Sequence, residues 1–117
     1  TTFTLDDTGR LEAAVVPDGY EGVYDWRRRY DDWVALAAAG VHVTVGEFGV
    51  FSAVPVDVTA AFLEDHVALF EAAGFDWTMW ELAGDFGIFD NARPGSELVP
   101  LGDREVDLAL LEILQPE

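Results

Sequence analysis

The segment Val43-Thr44-Val45-Gly46-Glu47-Phe48-Gly49 runs three β-favouring residues into a glycine, a carboxylate, an aromatic and a second glycine. Such a run reads as a buried strand that stops abruptly, with an acid presented at its C-terminal end. Strict alternation puts Val43, Val45 and Glu47 on one face and Thr44 and Gly46 on the other. A carboxylate in line with two valines needs a partner or a task. The simpler account is an acid salt-bridged at a strand end. A second segment, Phe75-Asp76-Trp77-Thr78-Met79-Trp80-Glu81, is a short apolar strand with two indoles and another terminal acid. The glycine-punctuated loop Gly84-Asp85-Phe86-Gly87-Ile88-Phe89-Asp90 follows it. A carboxylate beside an exposed aromatic face suits sugars, because pyranose rings stack on indoles and carboxylates act as nucleophile or acid/base at the anomeric carbon. The competing account of Trp80 is an indole that only fills a core.

The elements that must position these groups follow from periodicity. Residues 1–23 read as a hairpin or a loop extension: Thr2 to Leu5 and Leu11 to Val16 are strand-like, Asp6-Asp7-Thr8-Gly9 suits a turn, and Pro17-Asp18-Gly19 breaks the chain again. From Tyr24 to Ala39 the pattern is helical, with Trp26, Tyr30, Trp33 and Ala37 as the inward stripe. Arg27-Arg28-Arg29, beside Asp25, Asp31 and Asp32, reads as a solvated ion-pair network rather than an anion site. Gly40 stops that helix, and the strand then spans Val41 to Phe48. His42 falls opposite Glu47 and is read as structural. Pro55 with Asp57 or Thr59 opens a helix over about Val58 to Ala73, with Phe62, His66, Leu69, Phe70 and Ala73 inward and Gly74 as its stop. His66 lacks a neighbouring His or Cys, so a metal role is not expected. Residues 91–102 read as loop. A last helix runs from the N-cap Asp103 to Leu114, with Val106, Leu110 and Leu114 inward. Helix, strand, helix, strand, helix is the grammar of a parallel α/β sheet or barrel, and two core strands are too few to close one.

Composition sets the limits. The 117 residues fit one domain or part of one, and 50% are hydrophobic, enough for a packed core. No apolar run approaches the roughly 18 residues that span a bilayer, and no targeting segment is legible. The absence of cysteine excludes disulfides and thiolate chemistry. Asp and Glu number 23 against six basic residues, all arginine, for a net charge of −17. Such a surface repels nucleic acid and anionic membranes, so neither is an expected partner. It also repels itself unless salt intervenes; at molar salt the Debye length falls to about 3 Å, so a high-salt environment is the expectation.

Taken together, Gly46-Glu47-Phe48-Gly49-Val50-Phe51 resembles the end of the seventh strand in glycoside hydrolase family 5, the cellulase-like (β/α)8 barrels. Trp77-Thr78-Met79-Trp80-Glu81, with Phe86-Gly87-Ile88-Phe89-Asp90 after it, is similar to that family's eighth strand and following loop. The resemblance extends from Tyr24–Trp33, as the sixth helix, to Asp107–Gln115, as the last. It implies an α/β fold, a partial (β/α)8 TIM barrel made of the last strands and helices, over residues 24–117. It implies a retaining hydrolase of β-linked glucan or a related β-glycan, with Glu47 as nucleophile and Trp80 stacking on the sugar beside the cleaved bond. Glu81, Asp85 and Phe86 would line the same pocket, and no metal or organic cofactor is expected. The family's acid/base glutamate follows an asparagine, whereas the sole asparagine here is Asn91 and no Asn-Glu pair occurs. The expected partners are therefore a β-linked oligo- or polysaccharide and a complementary barrel fragment or a second copy of the chain. The rival expectations are a non-catalytic half-barrel that binds sugar and a fragment that self-associates through open strand edges.

Overall fold

The computed structural model describes residues 2–5, 7, 11–15, 23–24 and 26–115, with side chains described at 7 and from 28 to 115. Strands β1 (Thr2–Leu5) and β2 (Leu11–Val15) pair antiparallel, and β3 (Val23–Tyr24) adds to β2. The expected turn at 6–9 and the break at Pro17-Asp18-Gly19 lie almost wholly outside the described residues, as do Asp25 and the Arg27 side chain. Tyr24, expected to begin a helix, is in a strand instead. The helix itself is divided into a 3-10 segment, Trp26–Tyr30, and α1 (Asp31–Ala38). Tyr30 and Ala37 reach the core, but Trp33 is 51% exposed. It sits at the margin of the stripe and lines a groove with Leu36, Val41 and Val45.

At the centre lies a parallel pair, β4 (Thr44–Phe48) and β5 (Asp76–Met79), joined by the crossover helix α2 (Val56–Ala73). Val43, Val45, Trp77 and Met79 pack with Phe48 against α2, whose Leu63, Val67 and Phe70 form the middle of the core with Phe75. Thr44, Gly46, Asp76 and Thr78, on the other face, are exposed. Among the described residues, one face of this sheet is covered and the other is not. The buried set of α2 is broader than the expected stripe: Leu63 and Val67 are buried while Phe62, Leu69 and Ala73 are only half-buried. The helix meets β5, α3, β1 and β2, so contact comes from several directions and no single stripe suffices. Its start is also shifted: Pro55 precedes Val56 without a side-chain cap, and Thr59 turns inward.

Both helices end as the glycines predict. Gly40 (φ 90°) donates to Ala37 O at 2.9 Å and Val41 to Leu36 O at 3.0 Å. Gly74 (φ 71°) donates to Glu71 O at 3.2 Å and Phe75 to Phe70 O at 2.9 Å. Each is a Schellman closure, which needs a left-handed residue at the joint.

The C-terminal quarter differs from expectation. Residues 98–107 form a hairpin, β6 (Leu98–Leu101) and β7 (Arg104–Asp107), and the last helix α3 (Leu108–Ile113) starts only after it. Asp107, not Asp103, is the N-cap; its Oδ1 accepts from Leu110 N at 3.3 Å and its Oδ2 from Ser96 Oγ at 2.5 Å. Gly102-Asp103 is the two-residue turn, with Gly102 at φ 66°. Val106 and Leu110 are buried as expected, although Val106 reaches the core from a strand.

Candidate active site

Parallel strands place their C-terminal ends side by side, and here those ends carry Glu47 and Trp80. Val45 pairs with Trp77 and Phe48 with Met79, so β4 spends three residues where β5 spends two. The extra residue falls at Gly46-Glu47, as at a β-bulge, and it breaks the expected alternation. Phe48 takes the core position, 8% exposed, where its ring meets Phe70 and Trp77 edge-on at 5.1 and 5.5 Å. Glu47 is released to the exposed side. It does not share a face with Val43 and Val45, which corrects the simple alternation and removes the cost of an acid among valines.

The two strand ends are held together by backbone. Trp80 N donates to Phe48 O at 2.7 Å, and the Trp80–Glu81 peptide is cis. Gly49 lies against the Trp80 carbonyl so closely that a Cβ would collide with its oxygen. Trp80 is 48% exposed, not a filler of the core on its own chain. Two of the implied pocket residues sit differently. Glu81 is half-buried and folds back over Gly84, with its Oε1 at 3.5 Å from Phe86 N, a long contact. Asp85 is exposed, and its carbonyl accepts from Ser52 N at 2.7 Å. The Phe86 ring tilts against Phe51 at 5.7 Å between centroids. The end of the strands therefore presents one exposed carboxylate, one half-exposed indole, a second exposed acid and an aromatic pair.

Sequence reasoning missed the groups that hold these loops. Arg93, only 4% exposed, donates from Nη1 to Phe51 O and Val54 O at 3.0 Å and to Thr59 Oγ1 at 2.7 Å. Its Nη2 donates to Val50 O at 3.0 Å. Burial pulls this guanidinium below the usual arginine value, and the charge of Asp107 pushes it back up. Asp90, at φ 50°, accepts from Glu105 N at 2.9 Å and from Arg104 Nε at 2.7 Å, which holds its carboxyl below the usual carboxylate range. An arginine in a Pro-Gly-rich loop gives no periodic signal, so only its isolation from other basic residues marked it. His42, read as structural, sits at the opposite end of the pair, bonded to Asp76 Oδ2 at 2.7 Å. His66 is buried, donates from Nδ1 to Phe62 O at 2.7 Å and stacks on the Phe62 ring at 3.9 Å. A separate groove between α2 and α3, lined by Glu64, Glu71 and Glu112 among others, shares no residue with this end.

An α/β unit with acids and an indole at its strand ends falls, by comparison with solved structures, beside the glycoside hydrolases. A crystal structure of a glycoside hydrolase matches with a TM-score of 0.74 and 31% identity, covering 89% of this chain and 34% of that one. The chain thus spans about a third of the length of the structure it matches. No protein-family model matches it. No curated protein matches it either. The relationship to a glycoside hydrolase holds at that coarse level.

Proposed function

We propose that this chain is the C-terminal part of a cellulase-like, family 5 (β/α)8 barrel and acts in the retaining hydrolysis of a β-linked glucan or related β-glycan. The observation that carries the reading is the register slip that frees Glu47 at the same end of the parallel pair as Trp80. In this mechanism a Glu47 carboxylate oxygen attacks the anomeric carbon while the bond to the leaving oxygen breaks and that oxygen takes a proton from an acid. Water then attacks the anomeric carbon of the glycosyl–Glu47 ester, gives its proton to the group that acted as acid in the first step, and releases Glu47 as the carboxylate. Trp80 stacks on the ring next to the cleaved bond, and Asp85 and Phe86 border the same surface. A retaining pair needs two carboxyls about 5 Å apart. Glu81 is folded onto its own loop, so the acid is expected from a complementary barrel segment, and turnover from the assembled protein.

The test is hydrolysis of soluble β-glucans and aryl β-glycosides in molar salt, comparing the chain alone and with a complementary barrel fragment, each against Glu47→Gln. Turnover that vanishes in the variant supports the reading. Turnover that survives it removes Glu47 from the role. The position of Glu81 favours one second reading, a half-barrel that binds sugar without cleaving it. Binding unchanged by Glu47→Gln and lost in Trp80→Ala, with no turnover in any preparation, would select that alternative.

A further inference from the structure

The loop that follows Glu47, residues 49–55, is short of its own backbone partners: beyond Val54 N to Phe51 O at 3.0 Å, its bonds go elsewhere. Its carbonyls at Val50, Phe51 and Val54 all turn to the guanidinium of Arg93, 39 to 43 residues later. The same Arg93 holds Thr59 in the first turns of α2, and Val56 N donates to Pro94 O at 2.9 Å beside it. Arg93 is in turn tied to the loop after β5, because its N–H meets Asn91 Oδ1 at 3.4 Å and Asn91 Nδ2 donates to Gly87 O at 3.3 Å. The two loops then touch directly at Ser52 N to Asp85 O, 2.7 Å, and at the Phe51–Phe86 ring pair.

The geometry points to Arg93 as a positioning residue that sets the loop after Glu47 against the loop after Trp80, and so fixes the spacing of acid, indole and aromatic rim. This rests on the reading of Glu47 and Trp80 as a sugar site. Two nitrogens of one planar fork reach four acceptors spread over ten residues of chain, three from Nη1 and Val50 O from Nη2; an ammonium, whose donors all sit on one atom, cannot reproduce both positions of the fork. Four hydrogen bonds and the nearby charge of Asp107 offset the desolvation of a buried cation. Removing the fork would leave the carbonyls without a donor and free the loop to drift away from Trp80, although Arg93 would touch no substrate.

The test uses the full chain in molar salt, with Arg93→Lys compared with wild type and Trp80→Ala. Two quantities are read: amide exchange by residue, and binding of cellohexaose by tryptophan fluorescence. Arg93→Lys is expected to speed exchange about tenfold or more at Ser52 and over 84–87 while the α2 amides near Phe70 stay slow. Cellohexaose affinity should fall with it by about tenfold, as for a displaced stacking platform. Trp80→Ala should remove binding and leave the exchange pattern alone. Unchanged exchange in both loops, or equal acceleration throughout α2, would overturn the positioning role. Wild type that binds no cellohexaose, alone or with the complementary barrel fragment, would defeat the sugar-site reading, while the exchange pattern would still decide whether Arg93 couples the loops. If Arg93→Lys does not fold, Thr59→Val, which removes one acceptor and keeps the arginine, should give a smaller acceleration at the same amides; none there would likewise overturn the inference.

Discussion

At the end of β4 a one-residue slip in register sets Glu47 loose on the exposed side, whereas at the end of β5 the chain curls until Glu81 covers its own loop. The two acids belong to neighbouring strands that stop at the same level, yet one is offered to solvent and the other is spent on local structure. Acid type and strand position alone therefore do not decide which acid reaches solvent. Backbone register does, because the bulge decides which side chain enters the core and which leaves it.

The contrast is open to direct attack. If Glu47 is the nucleophile, Glu47→Gln should lower turnover of the assembled protein by roughly a thousandfold or more, and Glu81→Gln far less, as kcat measured side by side would reveal. Equal losses would erase the distinction. Next in size is a pair of glycines on the same strand end. A Cβ at Gly49 would strike the Trp80 carbonyl, while one at Gly46 meets nothing within 4 Å. Gly49→Ala should therefore cost about 1–3 kcal/mol in a denaturant titration, and Gly46→Ala much less. Salt acts on the whole molecule: with a net charge of −17, the thermal midpoint should climb between dilute buffer and molar salt. A flat or falling midpoint would remove the high-salt expectation.

The smallest effect concerns the latch behind the site. Asp90 has its carboxyl lowered, first by the Glu105 N–H and then by Arg104, so its contribution to stability is present above the ordinary carboxylate value. It is lost as pH falls through the depressed folded value. Asp90→Asn should flatten that stretch of the stability–pH curve without touching the turnover proposed for Glu47, which acid denaturation and rate assays would separate.

Much of the frame was legible because glycine and apolar spacing are local signals. Gly40 and Gly74 close their helices, α2 joins two parallel strands, and Glu47 and Trp80 lie at the ends of those strands. The bulge was not legible, since a run of Val-Thr-Val-Gly-Glu satisfies strict alternation until a neighbouring strand imposes its own spacing. The β6–β7 hairpin did carry a signal, Gly102-Asp103 straight after the apolar run Leu98-Val99-Pro100-Leu101, but Pro94, Gly95 and Pro100 read as loop and masked it. Arg93 was hidden for another reason: its partners are carbonyls, and carbonyls leave no mark in sequence.

The Schellman joints at Gly40 and Gly74 have a consequence for how such a chain can diverge. Each is made by main-chain groups and asks of the sequence only a residue that accepts a left-handed backbone. Side chains on either flank can then be exchanged, acid for lysine or serine for glutamate, without altering the direction in which the helix hands the chain to its strand. A surface could drift far towards the acidic extreme seen here while the turn geometry stayed constant from one descendant to the next.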